Sequence, residues 1–334
     1  MNFNFGLVAH SLGGHRQSYL DIIRKMFISD GHRCVVFDHW IKSLLHRDPV
    51  LFLMIEENFI GYSIAAIFRS LFGFRTAGLL FRGNEASSGD GLRLGVKKKA
   101  LLILRNISAV STISIVPFEV RPSIAMLADE WIDDVQLWDL CENEPPLTQL
   151  SIEIAKLCYP NKILISLGAQ SEGKGFQYFT ELQSVIRKSN SDWMFVAVGP
   201  VAKDMRCTAN VFERNGGILV DRFVNDREFL SLFGIADVIW GVYSPQYDQA
   251  SGVFGRAFQY QKRVLLRSGS IIIETATRLG VATAGLNYGD HESCLPTLES
   301  LLQITPKQSL SREFLRSRSA QKIYSRMIGK PICQ

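Results

Sequence analysis

KILISLGAQSEGKGF, residues 162–176, is the stretch that decides the fold. KILISL is a short apolar run rich in isoleucine, the signature of a strand buried on both faces. GAQSEGKG then brings glycines and polar residues where a chain must turn. A helix-like stretch follows, so the segment reads as strand, glycine turn and helix.

Read outward, the same unit recurs. Downstream, WMFVAVG (193–199), GILVDRF (217–223), DVIWGVY (237–243), RVLLRSG (263–269) and VATAGLN (281–287) read as strands, with helices fitting between them. Upstream, FNFGLVAH (3–10), RCVVFD (33–38) and segments 77–81 and 111–117 read as strands. GHRQSYLDIIRKMFISDG (14–31) reads as a helix with Tyr19, Ile22, Ile23 and Met26 on one face, and VKKKALLILRN (96–106) as a Lys-rich helix. Such alternation predicts an α/β protein with mostly parallel sheets. CENEPPLTQL (141–150) carries two prolines, which neither continue a helix nor enter a central strand, and so reads as the linker. The expectation is two Rossmann-like domains with a cleft between them. Residues 1–145 form the N-terminal, acceptor-side domain and 150–310 the C-terminal one. Residues 311–334 form a C-terminal helix packed back on the first domain.

Composition narrows the class. A chain of 334 residues exceeds one comfortable core, and 47% apolar with 21% charged residues is an ordered globular balance. Lys plus Arg less Asp plus Glu is 37 − 32 = +5, with a pI near 8.8. That excess suits phosphate-bearing ligands or an anionic membrane surface and is too small to argue for nucleic acid. Cys34, Cys141, Cys158, Cys207, Cys294 and Cys333 stand singly, without CxxC or zinc spacing, as thiols in a reducing compartment do. No secretory leader pattern opens the chain. The longest apolar stretch, 58–81, is interrupted by Arg69 and Arg75, short of the ~20 residues that span a bilayer. The expected location is cytoplasmic, peripheral on the inner face of the cell membrane. Residues 40–82 combine Trp40 and many aliphatics with Lys42, Arg47, Arg69, Arg75 and Arg82. They read either as a buried helix pair or as a basic amphipathic surface facing a membrane.

Three glycine turns could carry chemistry. In SLGGHRQSY, Gly13 and Gly14 let backbone approach a ligand, and the following helix would aim N–H groups at an anion. His10 and His15 flank that turn, as proton carriers or as polar loop residues. In SLGAQSEGKGF, Gly168, Gly173 and Lys174 match most of a phosphate-binding P-loop, but Gly175 stands where Ser or Thr would hold Mg²⁺. In residues 247–280, Ser251, Gly252 and Gly255 open a helix whose amides would suit a phosphate; Asp248 reads as a helix cap or ligand contact and Arg256 as a surface or ligand-facing charge. A fourth glycine-rich stretch, EASSGDGLRLG (85–95), reads as a mobile loop. Its Gly89, Asp90 and Gly91 imitate the start of a dinucleotide fingerprint without the strand–helix setting.

These residues resemble the group-1 (retaining, GT-B) glycosyltransferases that build bacterial polysaccharides and glycolipids. Gly13-Gly14 followed by Asp30-Gly31-His32-Arg33 is similar to the family's opening. Lys174-Gly175 is similar to the start of its C-terminal domain. Asp226, Phe229, Leu232, Phe233, Ala236 and Asp237 keep a family pattern, and Asp248 to Glu274 resembles its donor-binding block. Lys262-Arg263-Val264 stands in for the usual lead into the next strand. The resemblance implies that Lys174 meets a donor diphosphate, that Asp248 takes the place of the first of two spaced glutamates, and that Glu274 is the acidic residue after the glycine turn. Arg256 departs from the pattern, standing where the second glutamate belongs, and is expected to grip phosphate instead.

The expected activity is therefore metal-independent, hexosyltransferase-like transfer of a sugar from a nucleotide-sugar to a glycan or lipid-linked acceptor in cell-surface polysaccharide biosynthesis, with no cofactor. Asp248, Lys174 and Arg256 are the expected catalytic residues. Gly13, Gly14, Gly168, Gln170, Ser251, Gly252 and Glu274 complete the donor site. His15, Asp38, His39, Arg82 and Glu119 form the acceptor side. Two other readings stand beside it: an inactive GT-B-like protein that binds a sugar nucleotide or a partner, and a P-loop-like nucleotide hydrolase.

Overall fold

The apolar runs become strands, and every pairing among the described strands is parallel. The computed structural model describes residues 3–10, 15–83, 92–140, 142–189, 191–306 and 310–329. The chain divides into one unit of Met1–Asp139 with Arg312–Gln334 and a second of Leu140–Ser311.

In the first unit the strands are β1 (Asn4–Val8), β2 (Arg33–Phe37), β3 (Val50–Phe52), β4 (Thr76–Leu80), β5 (Val110–Ser114) and β6 (Glu130–Trp131), in the order β2-β1-β3-β4-β5-β6. Helices α1 (His15–Ser29), α2 (Phe59–Leu71) and α3 (Leu92–Arg105) cover the sheet. β3 and β6 were not among the strands read from sequence. They are three and two residues long, too short to show a period. Helix α3 also begins earlier than expected and takes in residues 92–95 of the glycine-rich stretch. The rest of that stretch, 85–91 with Gly89, Asp90 and Gly91, lies outside the described residues, as do Gly13 and Gly14.

One buried cation organises this unit. Arg69 on α2 is fully buried, and its guanidinium donates to Thr76 Oγ1 (2.9 Å) and to the carbonyls of Ser43 (2.6 Å), His46 (2.6 Å), Asp48 (2.9 Å) and Arg75 (3.0 Å). Five donors meet five acceptors, so the loop before β3 and the turn before β4 are tied to one side chain. Burial pushes its pKa down to about 10.

In the second unit the strands are β7 (Lys162–Leu167), β8 (Trp193–Val198), β9 (Ile218–Val220), β10 (Val238–Gly241), β11 (Arg263–Arg267) and β12 (Thr283–Leu286), in the order β12-β11-β10-β7-β8-β9. The helices are α4 (Gln149–Cys158), α5 (Phe176–Lys188), α6 (Arg206–Arg214), α7 (Asp226–Ile235), α8 (Gly252–Gln259), α9 (Ile271–Leu279) and α10 (Cys294–Gln303). Capping boxes at Thr148/Ser151 and Asn225/Glu228 start α4 and α7. The first of these begins a helix inside the stretch expected to be linker. The strand order runs outward from β7 in one direction through β8 and β9 and in the other through β10 to β12. Between β7 and β10 lies the switch point, where ligands bind in such sheets.

The last helix, α11 (Arg312–Ile328), belongs to the first unit. Arg318 donates twice to Asp133 Oδ2 (2.6 and 3.0 Å), Lys322 to the Trp131 carbonyl (2.9 Å) and Tyr324 to Asp30 Oδ2 (2.8 Å).

Candidate functional site

The switch point of the second unit gathers the residues that sequence placed around a donor, and adds some. The loop after β7 turns at Gly168 (φ +94°) and again at Gly175 (φ +73°), the N-cap of α5. Here it approaches the end of β10 so closely that a Cβ on Gly175 would lie 2.4 Å from the Val242 carbonyl oxygen. A Ser or Thr at 175 has no room, which is the physical reason the P-loop pattern is broken at that position. Gly199 is constrained alike, since its Cβ would meet the Gly168 carbonyl oxygen at 2.1 Å.

Lys174 sits in this loop, partly buried. Its Nζ lies 4.0 Å from the centre of the Tyr243 ring and 4.7 Å from that of Tyr247, both in the segment after β10. Cation–π attraction holds the ammonium over these faces. Burial lowers its pKa, partly offset by Tyr247. Lys174 makes no ion pair with a carboxylate among the described residues. Its backbone carbonyl accepts from the indole of the buried Trp240 (3.2 Å), which fixes the loop from below.

Asp248 is committed to a framework role. Its Oδ1 accepts from Arg267 Nη2 (3.0 Å), at the end of β11, and from the Ile271 N–H (2.9 Å), at the first residue of α9. A carboxylate at a helix N-terminus is favoured by the exposed amides and the helix dipole. The pair is mostly buried, with side chains 12% and 18% exposed, and Arg267 Nε has no partner among the described residues. That Nε–H is an unpaired buried donor at the end of β11. Ser251 caps α8: its Oγ accepts from Phe254 N–H (3.5 Å) and hydrogen-bonds the Tyr243 hydroxyl (3.0 Å). Gly252, the first residue of α8, follows. Arg256 lies one turn further along α8 and Glu274 in the first turn of α9, both half-buried.

Gln170 is fully buried. It accepts from Ser166 Oγ (3.0 Å) and donates to the Gly168 (2.8 Å) and Val198 (3.3 Å) carbonyls, so its amide is spent on shaping the loop.

In the first unit the described residues expected on the acceptor side follow the carboxyl ends of strands spread across the sheet. Asp38 follows β2 and pairs with Lys42 (2.8 Å) on the surface. His39 accepts from Ile41 N–H (3.3 Å), and its ring lies 6.4 Å from that of His10, which follows β1. Glu119 is exposed after β5, and the Arg82 N–H, after β4, donates to Glu56. The side chain of His15 lies outside the described residues.

Sequence reading missed Tyr243, Tyr247, Arg267 and Glu56. Arg267, a cation ending an apolar strand, carried a signal that could have been read. Glu56 has one buried oxygen without a partner among the described residues, and burial raises its pKa. Nothing in sequence separated it from the surface glutamate beside it. No group of three or more His, Cys, Asp or Glu suited to a metal ion occurs among the described residues.

The arrangement can receive an anion. The lysine ammonium and the N-cap of α8 meet on opposite parts of one residue, Tyr243, whose ring faces Lys174 and whose hydroxyl bonds Ser251, beside the place where strand order reverses. No family model matches the chain. No curated protein matches it. Among solved structures it is similar to sucrose-phosphate synthase from Thermosynechococcus elongatus (11% identity, 97% of this chain and 94% of that one, TM-score 0.61). It is also similar to HepE of Anabaena in complex with UDP and glucose (15% identity, 98% and 95%, TM-score 0.59). A third is WaaG, a glycosyltransferase involved in lipopolysaccharide biosynthesis (11% identity, 97% and 98%, TM-score 0.53). At these identities the likeness defines the fold: the chain is an α/β protein of the GT-B class, built from two Rossmann-like units.

Proposed function

We propose that the chain is a glycosyltransferase that moves a sugar from a nucleotide-sugar to a glycan or lipid-linked acceptor in cell-surface polysaccharide biosynthesis, working at the cytoplasmic face of the membrane. One observation carries the reading: the Lys174 ammonium, without a carboxylate partner among the described residues, stands over Tyr243 and Tyr247 at the switch point. A diphosphate there would supply the missing counter-charge.

Cleavage of the bond between the anomeric carbon and the diphosphate oxygen builds charge on the leaving group. Lys174, Arg256 and the amides of Ser251 and Gly252 would stabilise that charge, and no cofactor is invoked. Gly13, Gly14 and Gly168 would let backbone approach the donor. Asp248 would act by holding Arg267 and α9 in place, and Glu274 would meet the donor from α9. The acceptor would lie against His15, Asp38, His39, Arg82 and Glu119. The retaining outcome implied by the resemblance belongs to this proposal and is read from the anomeric configuration of the product by NMR. The solved neighbour holding UDP and glucose makes a UDP-hexose the first donor to test.

A second reading, binding without transfer, is favoured by Arg256 in place of an acid and by the engagement of Asp248 Oδ1. A P-loop hydrolase is disfavoured by the absence of space for Ser or Thr at 175.

The test is thermal shift with UDP-, GDP-, ADP- and CMP-sugars on the wild type and on Lys174→Met. One donor at a hundred times its Kd should stabilise the wild type by about 2.7 kcal/mol, and the variant much less. The proposal fails if no nucleotide-sugar shifts the wild type, or if the variant responds equally. A shift without transfer to any acceptor selects the second reading.

A further inference from the structure

In the first unit β1 leads to β2 on one side and has β3 on the other, so strand order reverses between β1 and β3. Open parallel sheets bind ligands outside the carboxyl ends of their strands at such a reversal. The exit from β3 is not an ordinary turn. Leu53 N–H donates to the Val8 carbonyl (2.9 Å), which ties that exit to the end of β1. Met54 then takes a left-handed conformation (φ +53°), which side chains other than glycine rarely adopt. A single helical turn, Ile55–Asn58, follows.

That turn is seated closely on β4. Ile55 is buried, and a Cβ on Gly78 of β4 would lie 2.6 Å from Ile55 Cγ2. The left-handed residue and the close approach together fix where the next residue, Glu56, places its carboxyl. Backbone strain held by its surroundings in this way clusters where a ligand is gripped.

Glu56 is half-buried. Its Oε1 accepts from the N–H of Arg82, after β4, and its Oε2 is shut away from solvent with no partner among the described residues. A carboxylate oxygen so placed lacks the donors that solvate it in water. Burial raises the pKa of the group, outweighing the backbone amides and the Arg82 charge that pull the other way. The donor site of the second unit makes no use of this carboxyl.

The missing partner has a definable chemistry. It must donate to the carboxylate and, when the carboxyl is protonated, accept from it, and a neutral hydroxyl does both. A phosphate or a second carboxylate would bring like charge. The last torsion of a glutamate side chain is soft and roughly two-fold, so the carboxyl can turn either oxygen toward a ligand at the surface.

We infer that Glu56 holds a neutral sugar by one of its hydroxyl groups, and so selects the acceptor. Its role toward an acceptor rests on the transferase reading proposed above, whereas the sugar site itself does not. Saturation-transfer NMR without any nucleotide tests it, with D-glucose, D-galactose, D-mannose, N-acetylglucosamine and, as a hydroxyl source without a sugar ring, glycerol. At least one sugar should bind the wild type, and glycerol should not. Glu56→Ala should weaken that sugar about tenfold, the worth of one hydrogen bond. Glu56→Gln keeps a donor and an acceptor and should weaken it less. Glu57→Gln, on the exposed neighbour, should leave it unchanged. Carbon-13 spectra of the glutamate-labelled wild type give a second readout that holds even if Glu56→Ala does not fold. The carboxyl resonance missing from Glu56→Gln should move when the sugar is added.

The inference is overturned if no sugar binds, or if glycerol binds as well as the sugars do. It is also overturned if a bound sugar is indifferent to Glu56→Ala or leaves the Glu56 resonance in place. The nucleotide-sugar thermal shift is read separately, on the wild type and Lys174→Met, so either reading can fail without the other.

Discussion

Gly175→Ala tests the close approach on which the candidate site is built. Two costs add. A residue other than glycine at φ +73° loses about 1–2 kcal/mol relative to an ordinary conformation. The new Cβ would also stand 2.4 Å from the Val242 carbonyl oxygen, so either the β10 end or the loop must move. Overpacking of this kind costs about 1–3 kcal/mol. The sum, about 2–5 kcal/mol, should lower the melting temperature of the second unit by roughly 4–20 °C, at ~2–4 °C per kcal/mol for a unit of this size. Gly269→Ala separates the two costs. Gly269 has nearly the same φ (+70°), and a Cβ there meets nothing within 4 Å. It should show only the conformational part. Calorimetry or circular dichroism reads both variants. Equal melting temperatures would refute the close approach. Because Lys174 precedes Gly175, the nucleotide-sugar shift should also fall in Gly175→Ala. Gly175→Ser carries the same test to the P-loop reading: that reading expects better Mg²⁺-nucleotide binding, and the packing expects worse.

Three further outcomes follow from the same geometry. Asp248→Ala should cost about 3 kcal/mol in urea unfolding, because it strands the mostly buried Arg267 and takes the acceptor from the Ile271 N–H while Ser270 still caps α9, and Asp248→Asn should cost less because an amide oxygen still accepts from Ile271. Arg69→Met removes five hydrogen bonds, leaving the His46 and Asp48 carbonyls without that donor while the Ser43 and Arg75 carbonyls keep backbone N–H partners, and should destabilise the first unit by about 5 kcal/mol at roughly 1 kcal/mol per bond, with Arg69→Lys recovering only part, since an ammonium has three donors. The lowered pKa of Lys174 sets two trends of opposite sign. The folded state disfavours the charged form, so its destabilising effect is present at neutral pH and stability is regained as pH rises through the folded pKa toward the ordinary 10.5; affinity for a diphosphate should fall over the same window, where the ammonium is lost. Parallel melts with and without donor read both, and a pH-independent affinity would remove Lys174 from the anion site.

Much of the α/β architecture was legible in the residues alone. Runs such as KILISL and WMFVAV state a buried strand by their composition, and glycines between strand and helix state the turn. These are local signals, carried by neighbours along the chain. β3 and β6 were not legible, because two or three residues cannot show a period. Arg69 looked like a break in an apolar run or part of a basic face. Its five acceptors come from the loop at 43–48 and the turn at 75–76, and only folding brings them to one point.

The candidate site divides the same way. The GAQSEGKG turn announced a place for an anion and singled out Lys174 before any fold was known. The tyrosines that hold Lys174 lie about seventy residues away in sequence, at the end of β10, and reach it because β10 pairs with β7. Asp248 was read as a ligand contact or a cap, and its partners proved to be Arg267 and the first amide of α9, nineteen and twenty-three residues on. Local sequence determined the strands, the turns and the presence of a lysine at a helix start. Strand order determined which residues face that lysine, because side chains from distant segments meet only where the sheet places their loops together.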